Sequence, residues 1–155
     1  MTYTFDTQKA RGDSGELFLD HWFATDYEVK PATRHEQRRG VDRTFIHRRT
    51  GQRFRVEYKT DYKAAETGNA FVETVSVDTA GKAGWAYSSE ADYLIYFIPG
   101  DGLIYIIALE VLLRELPRWV REYPLRTAQN EGYATHGLLV PLDEFERSAE
   151  VVISV

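Results

Sequence analysis

The chain has 155 residues, of which 43% are hydrophobic and 28% charged, and its formal net charge is −5. These values are typical of a single soluble domain over residues 1–155 and exclude a disordered chain, a collagen-like repeat and a membrane bundle. Cysteine is absent, which excludes disulfides, Cys-ligated metal sites and thiol catalysis and is compatible with a reducing cytoplasm.

Targeting and membrane-spanning segments are not expected. Residues 1–20 lack the apolar core of a signal peptide. The longest apolar runs, residues 93–99 and 103–109, are far below the roughly 18 residues that a membrane span needs. We therefore expect a cytoplasmic protein with no membrane partner.

The first half of the chain predicts a helix followed by a β-hairpin. Leu17, Phe18 and Trp22 recur at helical spacing, which predicts a short amphipathic helix over residues 14–23. Residues 26–40 are polar and show no sustained period, so they are expected to form an extended connection with some strand near its start.

The hairpin consists of two alternating runs, residues 41–48 and 53–60. They flank the turn sequence Arg49-Thr50-Gly51-Gln52, whose centre we place near position 50.5. The two strands are therefore predicted to be antiparallel.

The second half of the chain predicts further strands that alternate with helices. Strands are expected at residues 70–77, 93–98 and 103–108 and, as short edge strands, at 138–141 and 150–155. Helical potential lies at residues 81–90 and 109–123, where Pro117 must kink the helix or begin a second one. The fold class is mixed α/β or α+β, with a central mixed β-sheet flanked by helices.

Charge is distributed very unevenly along the sequence. Residues 30–63 hold eleven Lys or Arg and four acids, a net charge of +7, so the rest of the chain carries −12. This asymmetry favours one anionic partner on one face, although a solvated hairpin with outward Arg and Lys is the alternative. The acidic remainder argues against long non-specific wrapping of DNA and favours a recruiting protein or a shaped substrate.

One spacing in the hairpin points to chemistry. Glu57 and Lys59 are two apart, so both side chains leave the same face of a strand while Tyr58 points to the other. With the turn at 50.5, Asp42 falls roughly opposite Lys59. Two neighbouring carboxylates would repel each other unless a cation lies between them.

A divalent metal satisfies this arrangement. Mg²⁺, with Mn²⁺ as a substitute, takes oxygen ligands, and Asp42, Glu57 and the Tyr58 carbonyl would supply them. Lys59 could stabilise developing charge or orient the attacking water. The alternative for Glu57 and Lys59 is a salt bridge on a solvent face, worth only tenths of a kcal/mol.

Basic residues around these positions would hold a phosphate backbone. They are Arg38, Arg39, Arg43, Arg48, Arg49, Arg53, Arg55 and Lys63, with Lys82 as a further cation at a predicted helix start. Glu73 is a weaker candidate for an additional acid beside the site.

The motifs resemble the PD-(D/E)XK nuclease signature of the restriction-endonuclease-like superfamily. Gly40-Val41-Asp42 is followed fifteen residues later by Glu57-Tyr58-Lys59, and an upstream acidic helix carries Glu16, as in Holliday-junction-resolvase-like cores. The resemblance covers about residues 12–107 in the order helix, three strands, helix, two strands. Val41 stands where the family usually has proline.

The resemblance implies a metal-dependent endonuclease that hydrolyses DNA, with a role in DNA repair or recombination. It assigns Asp42 and Glu57 as metal ligands, Lys59 as the catalytic lysine and Glu16 as an auxiliary acid. A homodimer is expected if both DNA strands are cut, with its contact in the apolar residues 138–155. The alternatives are a non-catalytic DNA-binding or assembly module of the same fold, and a protein-binding domain with a basic hairpin.

Overall fold

The structure is a computed structural model that describes residues 2–3 and 5–155. The helices are α1 (Phe5–Phe23), α2 (Arg34–Arg38), α3 (Ala64–Thr67), α4 (Trp85–Ser88), α5 (Leu109–Glu122) and α6 (Leu142–Ser148), with a 3₁₀ turn at Asp78–Ala80. The strands are β1 (Thr2–Tyr3), β2 (Tyr27–Pro31), β3 (Arg43–His47), β4 (Arg53–Thr60), β5 (Asn69–Val77), β6 (Lys82–Ala83), β7 (Tyr93–Ile98), β8 (Leu103–Ala108), β9 (Leu125–Asn130), β10 (Ala134–Pro141) and β11 (Val151–Ser154).

A six-stranded mixed sheet forms the centre of the fold. Its strand order is β11-β8-β7-β4-β3-β2, and only the β4–β7 pair is parallel. The parallel pair requires a crossover, which contains α3, β5, β6 and α4. The prediction of a central mixed sheet flanked by helices is confirmed.

A second, five-stranded sheet has the order β1-β9-β10-β5-β6. The hairpin, β7 and β8 lie at the residues where strands were predicted, but β5 is not the third strand of the central sheet. It pairs antiparallel with β10, while β7 occupies the side of β4 that β5 would need. The third strand next to the hairpin is β2, which precedes the hairpin in the sequence, so the prediction that residues 70–77 supply this strand is wrong.

Two apolar clusters fix these layers. One lies between the two sheets and includes Leu94, Ile107, Leu138 and the fully buried Trp119. The other lies between the central sheet and α1, around Leu19 and other buried residues. Within the described residues, no helix is long and apolar enough to cross a membrane.

Other differences from the sequence expectations are local. Helix α1 begins nine residues earlier than predicted, at Phe5, and α5 continues through Pro117 as one helix. Helix α2 was not predicted, although Thr33 and Glu36 form a reciprocal capping box at its start. Strand β9 was not predicted either.

Candidate active site

The turn of the β3–β4 hairpin sets which residues face each other. His47 N donates to the Gln52 carbonyl over 2.8 Å, and Gly51, with φ 73°, closes a four-residue loop. Arg43 is therefore opposite Val56, and the preceding residue, Asp42, donates its own N–H to the Val56 carbonyl over 2.8 Å. The turn centre lies one position earlier than predicted, so the expected pairing of Asp42 with Lys59 is wrong.

Asp42 immediately precedes the first residue of β3. Its side chain provides a hydrogen-bond acceptor for β4 at a position that β3 does not reach. An Asp42 carboxylate oxygen accepts the Tyr58 backbone N–H at 2.7 Å. In a strand the N–H and C=O of one residue point to the same neighbour. The Tyr58 carbonyl thus faces the side on which Asp42 lies, where β3 offers it no partner because that strand begins at Arg43.

Glu57 and Lys59 leave the same face of β4, as predicted. Lys59 Nζ lies 2.5 Å from a Glu57 carboxylate oxygen. Glu57 is only 4% exposed, whereas a third of the Lys59 side chain reaches solvent. The pair is therefore not the solvated surface salt bridge of the alternative interpretation, because one of its charges is buried at a cost of several kcal/mol in desolvation.

The electrostatics of the three groups are coupled. Burial raises the pKa of Glu57 to about 7, against the attraction of Lys59, and the charge of Asp42 adds to the rise. Burial lowers the pKa of Lys59, but the charges of Glu57 and Asp42 outweigh it and raise that pKa overall. Asp42 therefore lies close enough to Glu57 and Lys59 for its charge to act on both.

Helix α1 places Glu16 beside the cluster formed by Asp42, Glu57 and Lys59. Gly15 lies directly against β4, since a Cβ at this position would stand 2.0 Å from Thr60 Oγ1. This close approach brings the neighbouring Glu16 near Asp42. Burial raises the pKa of Glu16 and the Asp42 charge raises it further.

Arg43 and Asp20 form a supporting network beneath the site. The Arg43 guanidinium donates to Asp20 at 2.9 Å and to Glu16 at 3.2 Å, and the Tyr58 hydroxyl donates to Asp20 at 3.0 Å. Only 13% of the Arg43 side chain is exposed, so it supports α1 and β4 and does not form part of a phosphate-binding surface as expected. Asp20 was not predicted as a site residue. Its spacing of four from Glu16 puts both acids on one face of the helix and could have indicated it.

Glu73 approaches from the second sheet. It accepts the Trp85 backbone N–H at the start of α4, and its charge acts on both Glu57 and Lys59. Burial raises the pKa of Glu73, while Lys59 and Lys82 oppose the rise. The crossover thus brings this weaker candidate close to the cluster.

The remaining basic candidates fall into two groups. Arg39 is paired with Glu90, Arg55 with Asp92, and Arg48 donates to a backbone carbonyl. Three others are exposed and have no ion pair within the described part of the chain. These are Arg38, Arg49 and Arg53.

Lys63 and Lys82 are exposed on the crossover, at the start of α3 and in β6.

The hairpin residues differ in their distance from the cluster. Arg55 lies two residues before Glu57 on β4, which is a distance of about 7 Å along the strand. Arg49, at the tip of the hairpin, is more than about 20 Å from Asp42 along β3. Among the expected contacts, therefore, Arg55 is near the cluster and the tip is remote.

The donor set fits a hard divalent cation. Two carboxylates and one carbonyl, from Asp42, Glu57 and Tyr58, lie close together at this end of the hairpin, and such ions take oxygen ligands while keeping several waters. Within residues 2–3 and 5–155, no three His, Asp or Glu side chains form a complete metal-binding group. A cation here would therefore take the rest of its ligands from water or substrate.

Comparison with solved structures finds a bacterial homing endonuclease, I-Ssp6803I, at 19% identity and a TM-score of 0.49. The match covers 68% of this chain and 72% of that chain. No family model and no curated protein matches the sequence.

Proposed function

We propose that the protein is a metal-dependent endonuclease that hydrolyses DNA phosphodiester bonds, using Mg²⁺ or Mn²⁺. The observation that supports it most is the burial of Glu57 beside Asp42 and Lys59. Burying a carboxylate with a second acid nearby costs stability and has no packing benefit. Perturbed groups of this kind are concentrated at functional sites.

Each residue of the cluster has a distinct task in this proposal. Asp42, Glu57 and the Tyr58 carbonyl would hold the cation, which lowers the pKa of a bound water and neutralises charge on the phosphate. Lys59 is cationic and partly exposed, so its ammonium can stabilise the negative charge that develops on the phosphate. Glu16, on the other side of Asp42, would orient a water.

The DNA would lie across the uncovered part of the central sheet. Lys30, Thr44 and Arg55 form a cross-strand row on the face that carries Glu57, and Arg55 lies two residues before Glu57 on β4. Lys30 and Arg55 are exposed cations there. They are in the right place to hold the phosphates that flank the one being cut.

A cleavage assay tests the proposal. The purified protein is incubated with Mg²⁺ or Mn²⁺ and single-stranded, duplex, flap and four-way DNA. Asp42→Asn, Glu57→Gln and Lys59→Met should each lower the rate by about 10²–10⁴-fold, since each removes a ligand or a charge-stabilising group. Glu110→Gln, an acid on the exposed face of α5, is the matched control and should cleave as the parent does.

The second candidate is a non-catalytic DNA-binding module. The 2.5 Å Lys59–Glu57 ion pair favours it, because the pair satisfies both charges without a metal. A parent protein that binds DNA in a salt-dependent way but cleaves none of the substrates would establish this alternative. Cleavage that survives all three substitutions would refute the proposed site.

A further inference from the structure

Two residues of the candidate metal site are joined by a closed ring of hydrogen bonds. The Tyr58 backbone N–H donates to an Asp42 carboxylate oxygen at 2.7 Å, and the Asp42 carbonyl accepts from the Arg43 guanidinium at 2.8 Å. Arg43 donates in turn to an Asp20 oxygen at 2.9 Å, and the same oxygen accepts the Tyr58 hydroxyl at 3.0 Å. The ring therefore passes through both residues and closes at Asp20.

Asp20 is the member of this ring that does not belong to the hairpin. The other three, Asp42, Arg43 and Tyr58, lie in or directly before β3 and β4, whereas Asp20 lies on α1. The Tyr58 side chain leaves the face of β4 opposite to that of Glu57, and α1 packs on this face. Asp20 thus holds the hairpin from the side of the sheet that lies behind Glu57.

The contacts at Asp20 are of a kind that fixes geometry. Arg43 donates to both Asp20 oxygens, with Nε 2.9 Å from one and Nη2 3.0 Å from the other, so the pair is bidentate. The side chains of Arg43 and Asp20 are 13% and 29% exposed, so water competes little for either. The guanidinium also lies over the Tyr58 ring, 5.4 Å from its centroid. Tyr58 is consequently held by its ring, its hydroxyl and its backbone N–H.

This arrangement fixes two of the groups that we assign to the cation. Asp42 is held at its carbonyl and at one carboxylate oxygen, while its other carboxylate oxygen accepts no hydrogen bond from the described residues. The Tyr58 carbonyl belongs to a residue whose side chain is anchored at Asp20. Ligands that are held in place before the ion arrives bind it more tightly, because less freedom is lost on binding.

We propose that Asp20 is a positioning residue for the candidate cation site. Acting through Tyr58 and Arg43, it sets the orientation of the Tyr58 carbonyl and the Asp42 carboxylate before the ion binds. The inference rests on the proposed function, since it takes both groups as ligands of Mg²⁺ or Mn²⁺. If Asp20 served only to attach α1 to the sheet, its loss would lower stability and leave the two ligand groups as they are.

Amide hydrogen exchange followed by NMR in EDTA tests the positioning without metal. Asp20→Ala should speed exchange of the Tyr58 N–H by about tenfold, because its acceptor Asp42 is no longer held. Ile95, a buried residue opposite Tyr58 on β7, should show a much smaller change. Asp13→Ala, an exposed acid of the same helix that is paired with Lys9, is the matched control and should leave both rates unchanged. Equal changes at Tyr58 and Ile95 would overturn the proposal.

Mn²⁺ binding measured by electron paramagnetic resonance is the second readout. Asp20→Ala should weaken binding by about 10–100-fold, as is typical when a partner that orients a metal ligand is lost. Tyr58→Phe keeps the carbonyl but loses the hydroxyl, so it should weaken binding in the same direction. Asp20→Asn, whose amide oxygen still accepts from Tyr58, should recover part of the affinity. The double variant of Asp20→Ala and Tyr58→Phe should bind little weaker than Asp20→Ala alone, because both changes break one ring.

The outcomes separate this inference from the proposed function. If Asp20→Ala and Tyr58→Phe bind Mn²⁺ as tightly as the parent does, the positioning role is refuted and the metal site stands. A parent that binds no Mn²⁺ refutes both. A parent whose Mn²⁺ binding depends on Asp20 as expected, but which cleaves no DNA, supports the positioning role and refutes the nuclease. Circular dichroism spectra that match the parent's would show that the variants are folded, and Tyr58→Phe carries the test if Asp20→Ala is not.

Discussion

Glu57→Gln is expected to make the metal-free protein more stable at alkaline pH while lowering the rate of the proposed cleavage. Burial holds the pKa of Glu57 at about 7 in the folded chain, against an ordinary value of 4.5. Because the folded state binds a proton more tightly than the unfolded state, the stability of the parent falls as pH rises from about 4.5 to 7. At pH 8.5 the ionised, buried carboxylate costs about 3 kcal/mol.

Glutamine has the same shape and carries no charge, so it removes this cost. The net gain should be smaller than 3 kcal/mol, about 1–2 kcal/mol, because Lys59 loses its nearest partner and keeps only Asp42 and Glu73. At pH 5 the gain should nearly vanish, since Glu57 is then protonated in the folded state. The free energy of unfolding thus depends on pH in the parent and much less in the variant.

Urea denaturation in EDTA between pH 5 and 8.5 measures both curves. Glu110→Gln, at an exposed acid, should follow the parent throughout. Added Mg²⁺ should stabilise the parent at pH 8.5, by about 2.7 kcal/mol at a hundredfold excess over Kd, and leave Glu57→Gln unchanged. A variant that is less stable than the parent at pH 8.5, with a constant difference down to pH 5, would refute the reasoning.

Three further substitutions test other parts of the structure. Gly15→Ala should destabilise the protein by about 1–3 kcal/mol, because the new Cβ meets Thr60, whereas Gly12→Ala, with open space around it, should be neutral or stabilising in thermal unfolding. Arg55→Gln should weaken DNA binding and reduce its salt dependence by about one phosphate, measured by fluorescence anisotropy, while Arg114→Gln on α5 should leave both unchanged. Hydrogen bonds from Arg118 first, and from Tyr123 and Arg147, hold the pKa of Glu144 well below its ordinary value, so stability present above that value is lost as pH falls. Glu144→Gln should therefore lose less stability on acidification than the parent, and equal losses in the two proteins would contradict this assignment.

The hairpin was predictable because its signals are local. Alternation from Arg53 to Thr60 fixes which side chains share a face, so Glu57 and Lys59 could be placed together from sequence. The register of the hairpin was not predictable, because a shift of one position in the turn centre moves Asp42 away from Lys59. The turn has its positive φ at Gly51, and the His47 ring accepts the backbone N–H groups of Arg49 and Thr50 within it.

Features that depend on contacts between distant parts of the sequence could not be predicted, for a different reason. The membership of β5 in the second sheet depends on β10, which lies more than fifty residues further along the chain. The burial of Glu57 likewise depends on packing between the two sheets, and a single strand pattern carries no information on that. The capping box at Thr33 and Glu36 was a local signal for α2 and could have been recognised.

Anomalous diffraction from crystals grown with Mn²⁺ tests the central claim most directly. We predict one strong peak within coordination distance of the Asp42 and Glu57 carboxylates and the Tyr58 carbonyl, with Lys59 Nζ moved away from Glu57. The peak should be lost in Asp42→Asn. A structure in which Mn²⁺ binds elsewhere, or in which the Lys59–Glu57 ion pair stays closed at saturating Mn²⁺, would contradict the account.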